Sequence, residues 1–328
     1  MVDRIGQQLG NYRLLRLLGK GGAAEVYLGE HIHLSTRAAI KVLHTLLADD
    51  EVEHFRTEAR LLAHLGHPHI VHILDFGVEG GTPFLVMEYA ARGTVRTRFP
   101  KGSRVPCETI IAYVKQAADA LYYLHEEKKL VHRDVKPENL LLRTDQDLVL
   151  SDFGIVVAAY TTGSLILKNR IGTLPYMAPE QFEGKPRPAS DQYALGMTVY
   201  EWFCGKRPFD ELEGSIIEHH VHTDPPALHQ QLPTISPTIE SVVLKTLAKD
   251  PKERFATIGA FATALEQASQ QTPRFAVTSS TPLQPVSPLP PRPPAAAVTT
   301  QLPSQSTLPL PIVQSRPITL PAQRERSA

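Results

Sequence analysis

Short runs in the first 90 residues alternate hydrophobic and polar positions, as half-buried β-strands do. Five such runs stand out: NYRLLRLLG, AEVYLGEHI, RAAIKVLHT, VHILDFGV and TPFLVMEYA. Between the third and fourth runs the period changes, because Phe55, Ala59, Leu62 and Leu65 recur at helical spacing before the glycine and proline of LGHP. The pattern predicts a small sheet of about five strands that carries one helix.

The helical period dominates from Pro106 onward, where apolar residues recur every three or four positions. Each of three stripes marks the buried face of one predicted helix, and the last follows Thr257 as its N-cap. The stripes are Ile111, Val114, Ala118, Leu121 and Leu124; Tyr193, Met197, Tyr200 and Phe203; and Ile258, Phe261 and Leu265. We therefore predict an α+β chain with a small β-rich lobe followed by a larger helical lobe.

The composition changes near residue 271. Residues 271–328 hold 13 of the 28 prolines and a single acidic residue, Glu325. Proline removes a backbone donor and fixes its own φ, so this stretch is predicted to be a disordered tail with polyproline II character. It is either a linker or an extension, or else a ligand for a proline-reading domain through PLPPRPP.

The overall charge is balanced, with 34 Lys plus Arg and 34 Asp plus Glu in 328 residues, which argues against a nucleic-acid partner. Cys107 and Cys204 are too few for a disulfide framework and fit a reducing compartment. The first residues lack the apolar core of a signal peptide, and no apolar run of about 18 residues occurs. We expect a chain without a membrane span, located in the cytoplasm.

A glycine cluster, LGKGGAAEVYLG, lies between the first two predicted strands. Gly19 and Gly21 would let backbone N–H groups approach a phosphate closely, and Val26 resumes the strand. Ala24 stands where a third glycine would complete the pattern. The cluster is predicted to be a hairpin lid over a phosphate, although an ordinary glycine-rich hairpin has the same composition.

Lys41 lies inside the third strand, on the same face as Ala39 and opposite Ile40. A lysine there either extends to solvent or, beneath a lid, contacts phosphate oxygens. Glu58, in the middle of the following helix, is the nearest anionic partner, although local pattern alone favours a solvated charge for it.

Two loops carry oxygen ligands and an acid. In LVHRDVKPENLLL, Asp134 offers a carboxylate, Lys136 a cation and Asn139 an amide oxygen. Ten residues after this stretch, Asp152 follows an apolar strand in LVLSDFGIV. Carboxylate and amide oxygens on neighbouring loops suit Mg²⁺, which binds few protein ligands together with substrate phosphates.

These motifs, with GKGGAAEVY, AAIK and the APE of Ala178 to Glu180, occur in the order found in the protein kinases. The chain resembles them over residues 12–268, with an N-lobe of about 12–90 and a C-lobe of about 91–268. The lysine of the catalytic loop and YMAPEQ are similar to bacterial eukaryotic-like (Hanks-type) serine/threonine kinases.

The resemblance implies a kinase that uses ATP and Mg²⁺, with Mn²⁺ as an alternative metal. Asp134 would accept the proton of the substrate hydroxyl, Lys136 would contact the γ-phosphate, and Asn139 and Asp152 would hold the metal. Lys41 would bind the α- and β-phosphates while paired with Glu58, and Met87 would be the gatekeeper. The adenine would lie between Val26 and Ala39 on one side and Leu141 on the other, and the backbone of residues 88–90 would be the hinge that hydrogen-bonds its edge. The implied ATP site comprises Leu18, Gly19, Lys20, Gly21, Gly22, Ala24, Val26, Ala39, Lys41, Glu58, Met87, Glu88, Ala90 and Leu141.

The resemblance also implies supporting and regulatory roles. Asp191 would support the catalytic loop, Glu180 would pair with Arg254, and Arg133 would bind a phosphate on the activation segment. The candidate phosphosites are Thr161, Thr162, Ser164 and Thr173. Proteins with Ser/Thr acceptors are the expected substrates, with a transient homodimer for autophosphorylation. A pseudokinase scaffold and a small-molecule kinase are the alternatives, and the retention of Lys41, Asp134, Asn139 and Asp152 argues against the first.

Overall fold

The structure, a computed structural model, describes residues 4–152, 174–209 and 216–271. Six antiparallel strands form one sheet in the order β1-β2-β3-β4-β6-β5. They are β1 (Gln8–Leu9), β2 (Tyr12–Lys20), β3 (Ala24–His31), β4 (Arg37–Leu43), β5 (Ile73–Glu79) and β6 (Thr82–Glu88). Helix α1 (Asp49–Ala63) lies between β4 and β5 in sequence and packs against β5. The five predicted strands and the helix are confirmed, and β1 adds a short edge strand.

The two faces of the sheet belong to different hydrophobic clusters. Ala39, Leu85 and Met87 face a large core that also contains Phe55 of α1 and extends into the helical lobe. On the other face, Ile40, Val42, Tyr12, Leu14, Phe84 and their neighbours form a separate cluster. The predicted alternation at Lys41 is therefore confirmed, since successive β4 residues point to opposite faces.

Two glycines allow close packing on the second face. A Cβ atom at Gly77 would lie 2.6 Å from Cζ of Phe84, and one at Gly29 would overlap the Cδ1 atom of Ile40. Because Ile40 and Phe84 are themselves buried, neither can move aside without leaving a void. Glycine at these two positions is a packing requirement.

The second lobe is mainly helical. A short hairpin of β7 (Leu140–Leu142) and β8 (Leu148–Leu150) lies between the loop with Asp134 and the loop with Asp152. The helices are α2 (Val95–Arg98), α3 (Cys107–Tyr122) with a π-helical extension (Tyr123–Glu127), α4 (Pro179–Phe182), α5 (Pro188–Cys204), α6 (Ile216–His222), α7 (Pro237–Thr246) and α8 (Ile258–Gln270). Three 3₁₀ turns cover Leu174–Tyr176, Leu228–Gln230 and Pro251–Glu253. In the described part of the chain, no helix combines the length and apolar character that crossing a membrane requires.

Helix α5 is the centre of this lobe, because all its residues from Ser190 to Cys204 are buried. The three predicted helical stripes are confirmed as α3, α5 and α8. In α3 the predicted Val114, Ala118 and Leu121 are buried, whereas Ile111 is only partly buried and its neighbour Ile110 is fully buried. Thr257 caps α8 as predicted, because its hydroxyl accepts the Ala260 N–H at 3.1 Å. Helix α8 ends at Gln270, and residues 272–328 of the predicted tail lie outside the described residues.

Candidate active site

The loop that leads into β7 brings together the three residues predicted to carry the chemistry. The Lys136 ammonium donates to both carboxylate oxygens of Asp134, at 2.9 Å each. The Asn139 amide nitrogen donates to the same carboxylate at 2.8 Å and to the Asp134 carbonyl oxygen at 2.7 Å. A carboxylate held by two side chains has a fixed direction, which a proton acceptor for a bound hydroxyl requires.

Asp191, in the first turn of α5, fixes the backbone of this loop. Its buried carboxylate accepts the N–H groups of His132 and Arg133 and a hydrogen bond from His125 Nε2, each at 2.8 Å. Three donors compensate the desolvation of this charge. The predicted supporting role of Asp191 is confirmed.

His132 links the same loop to the end of β8. Its Nε2 donates to the Ser151 carbonyl oxygen at 2.9 Å, and the ring is buried. Burial lowers the pKa of His132, so the ring stays neutral near pH 7. The bond fixes the backbone next to Asp152, the residue predicted to hold a metal.

Lys41 and Asp152 meet on the other side of the site. The Lys41 ammonium lies 2.8 Å from Oδ1 of Asp152, which joins β4 to the loop after β8. Burial alone would raise the pKa of Asp152, but the Lys41 ammonium outweighs it and holds the pKa below its ordinary value. Asp152 has φ 61°, a left-handed conformation that a non-glycine residue rarely adopts. Such outliers cluster at functional sites.

The glycine-rich turn between β2 and β3 is the segment that the sequence predicts to be a lid. The Gly21 N–H donates to the Ala24 carbonyl oxygen at 2.9 Å, and Lys20 pairs with Glu25 at 3.0 Å. A Cβ atom at Gly19 would meet no protein atom within 4 Å, so the space beside this backbone is open. Ala24 does not disturb the turn, since its side chain is buried on the core side.

The apolar residues predicted to surround an adenine base share one cluster. Ala39 and Met87 are buried and are direct partners across β4 and β6. Leu18, Val26 and Leu141 are partly buried against the same core. These residues come from several strands, and Val26 among them is the cross-strand partner of Lys41.

A metal ion fits the donor set of this site. Asn139 uses its amide nitrogen for Asp134, so its amide oxygen remains as a neutral ligand, and Asp152 supplies an anionic carboxylate. A carboxylate and an amide oxygen are hard ligands of the type that Mg²⁺ accepts alongside phosphate oxygens and water.

A comparison with family models matches residues 12–268 to the protein kinase domain. The chain belongs to the protein kinase family. It is 34% identical over 292 residues to the serine/threonine-protein kinase Pkn1 of Myxococcus xanthus, covering 85% of this chain and 41% of that protein. It is also 34% identical over 258 residues to PrkC of Bacillus subtilis, covering 77% of this chain and 40% of that protein. The chain thus spans less than half the length of these two relatives.

A solved kinase structure supports the same assignment. The crystal structure of a point mutant of the Mycobacterium tuberculosis PknI kinase domain matches with a TM-score of 0.63 and 30% identity. The match covers 82% of this chain and all of that one. The chain therefore belongs to the bacterial eukaryotic-like branch of the protein kinases, a family whose members use ATP and a divalent metal.

One kinase feature differs from the expectation. The predicted Lys41–Glu58 ion pair is not formed in this structure, because Lys41 is paired with Asp152 instead. Oε2 of Glu58 is buried and has no hydrogen-bond partner in the described part of the chain. Burial raises the pKa of Glu58, which also contradicts the simple interpretation as a solvated charge. Glu58 is a half-buried carboxylate on α1 that forms no ion pair with any of the residues that the structure describes.

The predicted pair of Glu180 and Arg254 is present. Arg254 donates to both carboxylate oxygens of Glu180, at 2.7 and 2.9 Å, and both residues are buried. Burial alone would raise the pKa of Glu180, but the Arg254 bonds hold it below its ordinary value. The four candidate phosphosites, Thr161, Thr162, Ser164 and Thr173, lie outside the described residues.

A further charged cluster beside the catalytic loop was missed from the sequence. Arg96 of α2 donates to Glu138 at 2.8 Å, to both oxygens of Glu201 at 2.7 and 3.0 Å, and to the Tyr176 hydroxyl at 2.6 Å. The Tyr176 hydroxyl in turn donates to Glu201. Burial alone would lower the pKa of Arg96, but its bonds to Glu201 hold the pKa above the ordinary range. One signal was available, since Glu201 interrupts the apolar sequence of α5 between Tyr200 and Trp202.

Proposed function

We propose that this chain transfers the γ-phosphoryl group of ATP to serine and threonine hydroxyls of proteins, including its own. The observation that carries the proposal is the joint placement of Asp134, Lys136 and Asn139 in one hydrogen-bonded group. The Lys41–Asp152 pair supports it, because it supplies a cation for phosphates and a carboxylate for a metal in one site.

In this reaction the substrate hydroxyl oxygen forms a bond to the γ-phosphorus, and the bond to the bridging oxygen of ADP breaks. Asp134 accepts the hydroxyl proton, while Lys136, whose ammonium lies 2.9 Å from the Asp134 carboxylate, neutralises the transferring group. The lid backbone and Lys41 hold the remaining phosphates. Asn139 and Asp152 would hold Mg²⁺, which would neutralise charge on the phosphate oxygens.

The rival function is a pseudokinase that binds partners without turnover. This chain retains Lys41, Asp134, Asn139 and Asp152. Asp134 and Asn139 are hydrogen-bonded to each other, and Asp152 has the left-handed backbone conformation that is often found at functional sites. These observations favour an enzyme. We further propose a cytoplasmic kinase domain over residues 12–268 that pairs transiently with a second copy for autophosphorylation.

The decisive experiment measures transfer of labelled γ-phosphate from ATP to the protein itself and to a generic Ser/Thr protein. We expect transfer with Mg²⁺ by the natural chain, and a loss of at least about a hundredfold in Asp134→Asn, which cannot accept the proton. Asp152→Asn should bind nucleotide but lose Mg²⁺-dependent turnover. ATP binding without transfer by the natural chain would establish the scaffold function instead.

The same labelled protein tests the regulatory proposal. Arg133 Nε is buried without a hydrogen-bond partner among the described residues, so a donor is available for a phosphate. We propose autophosphorylation at Thr161, Thr162 or Ser164. Mapping of the labelled peptides should find one of these, and label confined to other segments of the chain would contradict the proposal.

A further inference from the structure

Arg143 directly follows β7 and joins three separate segments of the chain. Its Nε and Nη2 donate to the Glu88 carboxylate at 3.2 and 2.7 Å. Its Nη1 donates to the Pro68 carbonyl oxygen at 2.6 Å, and its backbone N–H donates to the Asp147 carbonyl oxygen at 2.9 Å. A guanidinium that engages a carboxylate through two nitrogens has a defined direction as well as a charge.

The Glu88 carboxylate likewise has more than one hydrogen-bond partner. Glu88 also accepts the backbone N–H of His72 at 3.2 Å, while its own N–H donates to the His72 carbonyl oxygen at 3.0 Å. The Arg143 and Glu88 side chains are 26% and 22% exposed, so neighbouring groups shield most of the pair from water. The contact is therefore more ordered than an ordinary surface ion pair.

The Arg143–Glu88 pair lies at the junction of the two lobes. Glu88 ends β6 and begins the backbone segment, residues 88–90, that is proposed to bind the adenine edge. Arg143 lies two residues after Leu141, which is proposed to contact the face of the base. The pair therefore connects the segment that would contact the edge of the base to the strand that would contact one of its faces.

We propose that Arg143 is a positioning residue for the nucleotide, which acts by fixing the backbone of residues 88–90 relative to Leu141 through the Glu88 carboxylate. The inference rests on the proposed ATP site. Neither charged group reaches the catalytic loop, so loss of the pair changes how well the nucleotide is held and not how fast the phosphoryl group moves. Preorganised contacts of this kind contribute to affinity by reducing the ordering that binding must impose.

The test compares ADP affinity and ATP kinetics for Arg143→Ala, Arg143→Lys and Glu88→Gln in the full chain. For Arg143→Ala we expect the ADP dissociation constant and the KM for ATP to rise about three- to tenfold, with kcat within about twofold. Arg143→Lys should recover only part of the affinity, because an ammonium cannot bind the carboxylate through two nitrogens.

Arg98→Ala is the matched control. Arg98 pairs with Asp145 of the same β7–β8 turn at 2.6 Å and does not contact the 88–90 segment. This variant should leave ADP affinity unchanged. The double variant Arg143→Ala/Glu88→Gln should bind ADP no more weakly than Arg143→Ala, since both changes remove one contact.

Two outcomes would overturn the inference: equal ADP affinity in Arg143→Ala and Arg98→Ala, or fully additive losses in the double variant. A fall in kcat with unchanged KM would also contradict it. The result is separable from the proposed function, because ADP affinity can be measured whether or not phosphate is transferred. If the natural chain binds ADP but transfers no phosphate, the proposed function is wrong. The effect of Arg143→Ala on ADP affinity can still be measured in that case.

Discussion

Two residues of the site have unusual backbone angles. Arg133 and Asp152 have φ of 69° and 61°, in the left-handed region that costs an L-residue roughly 1–2 kcal/mol. Asp191 holds the Arg133 N–H at 2.8 Å, and Lys41 holds the Asp152 carboxylate at the same distance. These contacts help to offset the cost of the two backbone conformations, and the second also fixes the direction of the Asp152 side chain.

His220 shows how burial changes one residue outside the site. Its ring is fully buried, with Nδ1 at 3.0 Å from the Tyr193 hydroxyl, and Nε2 has no partner within the described ranges. Burial, together with the charges of Lys249 and Arg207, lowers the pKa of His220 to about 3. The unfolded chain protonates this ring below about pH 6.5, whereas the folded protein does not until far lower pH. Protons therefore favour the unfolded state across that interval.

We predict that the stability of the protein falls as the pH decreases from about 6.5, with His220 contributing about 2 kcal/mol of the loss by pH 5. His220→Asn, which does not titrate, should be less stable at pH 7.5 but should lose less stability on acidification. Urea unfolding at several pH values measures this, with the exposed His33→Asn as control. Parallel pH profiles for the natural chain and His220→Asn would refute the assignment.

At the scale of elements, α5 holds the catalytic lobe together through its two buried carboxylates. Asp191 at its start bonds to the catalytic loop, and Glu201 near its end bonds to Arg96 and to the Tyr176 hydroxyl. One helix thereby fixes both the loop that carries Asp134 and the 3₁₀ turn at Leu174–Tyr176. Both carboxylates depend on their partners, since an uncompensated buried charge is costly.

We predict that Arg96→Ala lowers the free energy of unfolding by about 3 kcal/mol, because Glu201 loses its cation in a buried position. Lys115→Ala breaks an exposed pair with Glu266, of similar length at 2.8 Å, and should cost under about 1 kcal/mol. Denaturant unfolding of both variants provides the comparison. The double variant Arg96→Ala/Glu201→Gln should be less destabilised than the sum of the single changes, and equal losses for Arg96→Ala and Lys115→Ala would contradict the assignment.

The sequence predicted the elements better than it predicted their contacts. The spacing of apolar residues is set locally, because one face of each strand or helix is buried. This spacing located β2 to β6, α1, α3, α5 and α8. The motifs located Asp134, Asn139 and Asp152, whose proximity the structure confirms. By contrast, Arg96 meets Glu201 across 105 residues and Arg143 meets Glu88 across 55. Such pairs produce no local pattern in the sequence. From the sequence alone, each of these residues therefore resembles an ordinary surface charge.

At the scale of the whole molecule, one hydrophobic cluster spans both lobes of the described chain. Its buried residues run from Ala24 to Ala268. Helix α8 closes this core, since Phe261 and Leu265 are fully buried and α8 packs on α3.

We predict that deletion of residues 272–328 leaves kcat and the thermal unfolding midpoint nearly unchanged. Truncation after Thr257, which also removes α8 with Phe261 and Leu265, should abolish cooperative folding. Thermal unfolding and phosphate transfer by both truncated chains provide the measurement. A large loss of rate or stability on removal of 272–328 alone would show that this stretch contributes to the catalytic unit.

The tight packing at Gly29 and Gly77 affects how mutational screens of this protein should be interpreted. An alanine at either position would collide with Ile40 or Phe84 on the sheet face opposite the active site. Loss of activity in such variants would therefore reflect misfolding and low expression and not a defect in catalysis. This holds even for Gly29, which shares a strand with Val26 of the proposed nucleotide site. Comparing activity per folded molecule, not per culture, separates such variants from true catalytic ones.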